Sequence, residues 1–386
     1  MEILRGYKVE VSMNNRQKTL FNKTVGCGRF AYNWGLQKCL ERYELEGKIY
    51  SAIELHKEIV KMKHTEEYKW LQEVTKCSPQ EALRDLEKAY MNFFRSVKNK
   101  DGKFRLPIFH SKHSAKQSFR VTGSIHVFDK HIKFPTFGKV KMKETDYIPK
   151  DVYILSATMS RENNRYFIAL QCSENKDMSN LGINHGEVIG VDLGIKDLMI
   201  CSDGTVVENP KFLNKYEKKL KRTQRKISKK FQMNKNGNTF VRTKNIEKLQ
   251  KKLNATWFRI KCLRNDYIHK ATSNLVKTKP EMLVVEDLGV SNMVKNHKLA
   301  KSIQNAMFGE IYRQLKYKCE WNGIKFVTAD RFYPSSKICS KCGNIKEDLT
   351  LKDRIYVCPH CGNVIDRDLN ASINLKNYGK MQLVTG

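Results

Sequence analysis

Four of the chain's cysteines fall in two tight pairs, Cys339-Ser-Lys-Cys342-Gly and Cys358-Pro-His-Cys361-Gly, with fifteen residues between the pairs. This C-x2-C…C-x2-C spacing is that of a zinc ribbon. Each knuckle turns two thiolates toward one tetrahedral ion, and the glycine after each pair relieves backbone crowding. Four thiolates close the coordination sphere, so the expected zinc is structural and His360, inside the second knuckle, is not needed as a ligand. Disulfide pairing is the competing reading. Cys27, Cys39, Cys77, Cys172, Cys201, Cys262 and Cys319 are scattered singly, as reduced thiols of a cytoplasmic protein are.

Charge fixes the class of partner. The 386 residues hold 72 Lys+Arg against 40 Asp+Glu, a net +32. An excess of that size repels itself and calls for a polyanion, which argues against an enzyme of neutral metabolites. A hydrophobic content of 40% with 10% aromatics argues against a disordered basic tail. No apolar run approaches the roughly 18–20 residues of a membrane span, and Met1-Glu-Ile-Leu-Arg-Gly-Tyr7 opens no signal-peptide core. No membrane and no secretion are therefore expected. The expected partner is nucleic acid, and the expected place the cytoplasm of a bacterium or archaeon, at the nucleoid.

The first ~110 residues read as helical. Leu20, Phe21, Val25, Phe30, Ala31 and Trp34 recur at helical spacing up to Gly47, and Ser78-Pro-Gln-Glu81 predicts a capped helix start with Ser78 as N-cap. Leu83, Leu86, Tyr90, Phe93, Phe94 and Val97 give that helix one apolar face. From Ser118 to Gln171 the texture changes to short strands at Ser124–Phe128, His131–Phe134 and Arg165–Leu170, and Glu174 to Gly186 reads as a polar linker. Val188 to Ile200 predicts one strand, turning at Ser202-Asp-Gly204. Ten Lys/Arg between Lys211 and Lys230 mark a basic helix. With a second helix carrying Ile246, Leu249, Leu253, Trp257, Ile260, Leu263 and Tyr267, it predicts an antiparallel hairpin. Glu281–Glu286 and Lys325–Ala329 read as strands around a helix from Glu310 to Trp321.

Acids stand where acids are costly. Asp192 interrupts one apolar strand and Glu286 ends another, Leu-Val-Val-Glu. A carboxylate beside a sheet core needs a cation, either a neighbouring Lys/Arg or a metal. A third acid at the helix start Ile365-Asp-Arg-Asp368-Leu-Asn-Ala favours metal. Three carboxylates can hold two Mg²⁺ about 4 Å apart, one activating water and one steadying the leaving oxygen of a phosphodiester. Hard oxygens suit magnesium as soft thiolates suit zinc.

These residues, taken in order, resemble a family. Gly190-Val-Asp192-Leu-Gly, Val285-Glu286-Asp-Leu, Arg331-Phe-Tyr-Pro-Ser-Ser-Lys337 leading into the cysteine pairs, and Asp366-Arg-Asp368-Leu-Asn-Ala resemble the split RuvC nuclease of transposon-encoded TnpB (OrfB) proteins. Ala82-Leu-Arg-Asp-Leu86 and Asn92-Phe-Phe94 resemble its recognition helices. The resemblance implies an RNA-guided DNA endonuclease that binds an RNA from the transposon end, reads a short target-adjacent motif in duplex DNA and cleaves by two-metal hydrolysis. It also implies an α/β plus α architecture. The chain would begin a small β-barrel-like wedge domain at 1–13, continued at 116–180, around a helical recognition domain at 14–115. An RNase H-like (RuvC) domain would follow at 181–338 and 363–386, with the zinc ribbon inserted at 339–362. By motif match Asp192, Glu286 and Asp368 become the magnesium-binding catalytic triad, with Asp368 preferred over Asp366 because it directly precedes x-Asn-Ala. Asp287 is expected to face away from Glu286. A miniature type V CRISPR effector and a non-cleaving RNA-guided DNA-binding repressor are the alternatives. The repressor is disfavoured because all three acids are present. A monomer is the expected state. The segment Phe231–Arg242 is longer and richer in Asn than the family pattern.

Contacts to nucleic acid are expected at Arg331 and Lys337, and at Lys76 and Gln80, four apart at a helix start, where an amide can pair with adenine. A plain solvated face is the alternative there. The Lys211–Lys230 run is expected to meet phosphates, which positions a strand without reading it. Phe104, Phe109 and Phe119, interleaved with Lys103, Arg105, Lys112, Lys116 and Arg120, form either a base-stacking surface or part of a core.

Overall fold

The computed structural model describes residues 1–100, 105–112, 117–177, 182–350 and 352–384. The chain divides into two units, Met1–Lys176 and Asp177–Gly386.

In the first unit β1 (Glu2–Ser12) leads into three helices, α1 (Asn15–Glu46), α2 (Ala52–Met62) and α3 (Cys77–Lys98). Six strands follow: β2 (Gln117–Val121), β3 (His126–Phe128), β4 (His131–Phe134), β5 (Gly138–Met142), β6 (Tyr153–Glu162) and β7 (Arg165–Asn175). They form one sheet with β1 inside it, in the order β2-β6-β7-β1-β5-β4-β3. The helices thus interrupt a sheet whose first strand precedes them. Asn14 and Gln17 close a capping box on α1, and Gly47 ends it in the left-handed region that glycine adopts without strain.

Two expectations fail here, and one left open is decided for Phe119. The α3 helix begins at Cys77, and Ser78 caps nothing: its hydroxyl donates to the Thr24 carbonyl on α1 at 2.8 Å. Pro79 still costs no hydrogen bond, because first-turn N–H groups have no helical partner. The supposed linker 174–186 has strand at both its ends, since β7 runs to Asn175, where it pairs with Glu2, and β8 (Asn184–Asp192) starts before Gly186. Phe119 belongs to the core, packed against Phe21 and Phe137, while Phe109 is exposed. Lys103, Phe104 and Lys116 lie outside the described residues, as do the expected boundaries at 115/116 and 180/181.

In the second unit β8 is followed by β9 (Asp197–Cys201), β10 (Val206–Glu208) and the helix α4 (Phe212–Met233). The predicted single strand 188–200 is therefore two antiparallel ones, and the chain reverses at Leu193–Lys196. Gly194 permits that turn, because a Cβ there would lie 2.7 Å from the Asp197 carbonyl oxygen. A two-residue hairpin pair, β11 (Lys235–Asn236) and β12 (Thr239–Phe240), occupies the long connection to α5 (Lys244–Lys277). Then come β13 (Pro280–Glu286), α6 (Val290–Met293), α7 (His297–Ala306), α8 (Phe308–Trp321) and β14 (Lys325–Ala329). The chain ends with the ribbon strands β15 (Ile355–Val357) and β16 (Val364–Asp366), then α9 (Arg367–Val384).

The sheet order is β10-β9-β8-β13-β14, with β8, β13 and β14 mutually parallel. Alternate residues face opposite sides. Ile189, Val191, Leu283 and Val285 pack with Ile268 of α5 and Ile311 and Leu315 of α8. Val188, Met282 and Val284 pack with Leu375 of α9. The helix approaches the sheet unusually closely because two glycines face the contact. A Cβ on Gly190 would collide with the α9 backbone at Ser372 and Lys376, and a Cβ on Gly379 would collide with Val284 and Val188.

Candidate active site

Alternation along the strands delivers the first two acids to one side. Val191 pairs in register with Val285, so Asp192 and Glu286 are the next residues on neighbouring parallel strands. They follow the parity of Val188 and Val284, which face α9. Asp368 stands in the first turn of α9. All three line one cavity of about 550 Å³, with Leu193–Lys196, Ser335–Lys337, Leu349, Thr350, Arg354, Arg367 and Ala371.

The three carboxyls do not share one environment. Burial first, then the charges of Glu286 and Asp368, push the Asp192 carboxyl well above the usual carboxylate range. Burial also pushes Glu286 up to about 7, against a Leu193 N–H that favours its ionised form and with the charge of Asp368 adding to the rise. Asp368 is met by cations instead. Arg367 donates to its Oδ1 through Nε and Nη2 at 3.0 and 2.7 Å, and Arg354 of the ribbon lies 3.7 Å from Oδ2. Burial of Asp192 and Glu286 thus favours their protonated forms until a cation enters, and hard oxygen donors suit Mg²⁺.

Asp366 has different work. Its Oδ1 accepts from the backbone N–H groups of Asp368 and Leu369 at 2.9 and 3.0 Å, capping α9. Asp287 lies outside the cavity lining and accepts from Arg331 at 2.6 Å. Of the expected nucleic-acid contacts, Lys337 lines the cavity and Arg331 does not. Lys76, exposed, and Gln80, half-buried, stand at the start of α3 in the other unit.

Sγ atoms of Cys339, Cys342, Cys358 and Cys361 lie within 4.8 Å of one another, the one such set of three or more metal-ligating groups among the described residues. Cys339 and Cys361 are 3.7 Å apart and Cys342 and Cys358 3.6 Å. A tetrahedral ion with Zn–S bonds of about 2.3 Å needs sulfurs roughly 3.8 Å apart, so the donor set fits zinc. The knuckles are alike: Cys339 N–H donates to Asn344 and Cys358 N–H to Asn363, with Gly343 and Gly362 at φ of 77° and 68°. His360 is outside the set.

Two buried asparagines, one turn apart on α9, bind the loop that enters the first knuckle. Asn370 Nδ2 donates to the Ile338 carbonyl at 2.7 Å, and its Oδ1 accepts from Ser340 N–H at 3.0 Å. Asn374 Nδ2 donates to the Ser335 and Ile338 carbonyls at 2.7 and 2.6 Å. The ribbon and the helix bearing Asp368 are thereby joined. Sequence reasoning assigned no role to Asn370, Asn374, Arg354 or Arg367. The i, i+4 spacing of two Asn on a helix was the available signal for the first pair.

The chain matches family models described as "Probable transposase" at residues 177–297, "Cas12f1-like, TNB domain" at 308–375 and "Helix-turn-helix domain" at 1–48. The last description does not fit the local structure, where β1 runs into one unbroken helix, α1. A protein of Streptomyces pristinaespiralis named "Putative RNA-guided DNA endonuclease" is 30% identical over 381 residues, covering 98% of this chain and 90% of that one. "Putative RNA-guided DNA endonuclease InsQ" of Escherichia coli K12 is 27% identical over 403 residues, covering 100% of this chain and 95% of that one. Among solved structures, the Cas12f1–sgRNA–target DNA complex contains a chain of the same fold, with a TM-score of 0.57 at 12% identity, covering 97% of this chain and 99% of that one.

Proposed function

The chain belongs to the transposon-encoded OrfB (TnpB) family, and from that premise we propose how its residues carry out RNA-guided cleavage of DNA. It is a nuclease whose partners are a guide RNA and the DNA that pairs with it, and the +32 charge supplies the attraction both require. In this reading the sheet with α9 is an RNase H-like nuclease core, divided at 181–338 and 363–386 by the zinc ribbon at 339–362. Residues 1–13 with 116–180 form the wedge, residues 14–115 the recognition helices, and the protein acts as a monomer.

The convergence of Asp192, Glu286 and Asp368 on one cavity carries the catalytic assignment. These three carboxylates would hold Mg²⁺, which when bound supplies an activated water and charge neutralisation at the leaving oxygen. Arg354, Arg367, Lys196 and Lys337 line the same space and give it cationic walls for a phosphodiester. The four-cysteine ribbon, tied through Asn370 and Asn374 to α9, sets where Asp368 stands. Lys76 and Gln80 are the candidates for reading the target-adjacent motif, and Arg331 for holding the strand near the ribbon.

Binding alone cannot test this, since a protein of this charge holds any duplex at low salt. Protein stripped of RNA by nuclease and high salt should leave duplex DNA uncut. Restoring the RNA should give cuts only where the guide pairs and the adjacent motif is present, with motif-proximal mismatches suppressing cleavage most. RNA-free protein that cuts a defined site as well as the complex would sink the guided reading.

A further inference from the structure

Strand β14 ends at Ala329, which pairs in register with Glu286, the last residue of β13. The turn that follows, 330–333, therefore stands at the carboxyl ends of the parallel strands, where open α/β sheets take their ligands. Its shape is pinned. Asp330 Oδ1 accepts from the Phe332 N–H at 2.8 Å, the Asp330 carbonyl accepts from the Tyr333 N–H at 3.0 Å, and Arg331 donates to Asp287 at 2.6 Å. Tyr333 turns inward: its ring lies 4.9 Å from that of Tyr378 on α9, and its hydroxyl donates to the Asn374 carbonyl at 3.3 Å. A little further on, Ser335, Ser336 and Lys337 line the carboxylate cavity.

Phe332, between these anchored residues, is 86% exposed and has no ring or cation partner among the described residues. A phenyl ring left in water forgoes the stabilisation that burial would bring. The residues on both sides are bonded in place, so the turn itself presents the ring. Chain connectivity and strand spacing keep its Cα within about 16 Å of that of Glu286. Arg331 stands beside it, and Lys196, Lys337 and Arg354 line the nearby cavity. Cations that draw phosphates, with an exposed ring among them, are the means by which proteins hold a single strand. A base inside a duplex has both faces covered by its neighbours, so the ring can take only an unpaired one.

We propose that Phe332 is a stacking residue for the strand being cut: its ring takes the face of an unpaired DNA base a few nucleotides from the scissile phosphodiester and so seats that phosphodiester at Asp192, Glu286 and Asp368. The proposal rests on the guided-cleavage reading above and names how that site holds its substrate. The strand is DNA and not the guide, because the strand that reaches the carboxylates is the one hydrolysed. No sequence is read, since every base offers a π-face. Overall affinity for DNA comes from pairing with the guide and from phosphate contacts, so the ring acts on the cleavage rate and not on binding.

The test is single-turnover cleavage of guide-matched DNA by the full chain in complex with its native RNA. Phe332→Ala and Phe332→Leu should each slow cleavage by about 5- to 150-fold, the range of one lost base stack, with target-DNA binding unchanged. Phe332→Trp should keep the original rate. The Leu and Trp variants together separate stacking on a base from an apolar contact with protein, which leucine would satisfy. None of the three should alter the melting temperature, since the side chain is exposed. An abasic nucleotide walked along the DNA strands near the cut should find a position that slows the original complex by a similar factor and Phe332→Ala no further, because one stack can be lost only once. Equal rates for the Ala variant and the original, a Leu variant as fast as Trp, or no coupled position in the DNA (coupling confined to the RNA included) would each overturn the proposal. So would a self-association that disappears in Phe332→Ala, which would give the ring to a second copy of the chain. Failure of the guided reading would appear separately, as cutting by the unaltered protein without RNA.

Discussion

Gly190, within β8, lies directly beneath Ser372 of α9, so close that a methyl group on Gly190 would overlap the Ser372 carbonyl oxygen. The glycine of the Gly-Val-Asp motif therefore does more than precede an acid. It sets the depth at which the helix bearing Asp368 rests on the strand bearing Asp192. Gly190→Ala must displace backbone, which cannot rotate aside as a side chain can. Destabilisation of about 1–3 kcal/mol or more is expected, with cleavage falling beyond what lost folded protein explains. Gly309→Ala is the contrast: nothing lies within 4 Å of its Cβ position near the start of α8, and it should melt at or above the original temperature.

Asp192→Ala, Glu286→Ala and Asp368→Ala should each abolish cleavage while RNA and DNA binding stay nearly intact, because the basic surfaces are untouched. Asp366→Asn should retain substantial activity, since an amide oxygen can still accept from the N–H groups of Asp368 and Leu369. Asp366→Ala should cost about 1 kcal/mol as a lost cap. Plasmid cleavage with parallel binding assays separates these outcomes. Full cleavage by the Asp192 variant would remove the catalytic assignment.

The raised carboxyls predict a pH response with a definite sign. Glu286 moves from 4.5 to about 7 in the fold, so its protonated form favours the native state. That contribution is complete below about pH 4.5 and is lost as pH rises through about 7. Metal-free protein should accordingly melt lower at about pH 7.5 than at about pH 5.5. Added Mg²⁺ should raise the melting point at the higher pH and do little at the lower, where protons compete for the same oxygens. Thermal scans with and without Mg²⁺ at both values provide the check, and Glu286→Gln should flatten the metal-free difference.

Purified protein should contain about one zinc per chain, the complement of one four-thiolate site. Cys339→Ser with Cys342→Ser should lower that content sharply by elemental analysis. Because Asn370 and Asn374 tie the first knuckle to α9, the same variant should lose cleavage as well as stability. Normal zinc content in the double variant would show that these cysteines are not ligands.

Asn370→Ala probes the tie with the metal site itself intact. It leaves the Ile338 carbonyl and the Ser340 N–H without this partner at a fully buried position, a loss of roughly 1–3 kcal/mol. Zinc content should stay near one while cleavage falls. An unchanged cleavage rate at full occupancy would show that the ribbon does not position Asp368.

Much of this protein is decided by short-range signals. The spacing of Cys339, Cys342, Cys358 and Cys361 specifies a closed thiolate site wherever the chain places it, because two residues between ligands form a knuckle locally. Gly47 ends α1 through its own backbone freedom, and the apolar period of α5 names Ile246, Leu253 and Ile260 as buried before any partner is known, although Trp257 on the same period is exposed. Asp192 and Glu286 stood out because a carboxylate at the end of an apolar strand is costly in any fold. Tertiary structure decided the rest, because those choices depend on what arrives from far along the chain. Ser78 was a plausible cap until Thr24 offered its hydroxyl a carbonyl. Glu174 and Asn175 resembled the start of a linker because Ile3 and Glu2, their strand partners, lie more than 170 positions away. The break between β8 and β9 needed a turn that only the pairing of Asp192 with Ile200 reveals. That Asp368 meets Arg354 of the ribbon, and that two glycines let α9 reach the sheet, follows from packing between separate segments, and local propensity carries no information about such distances.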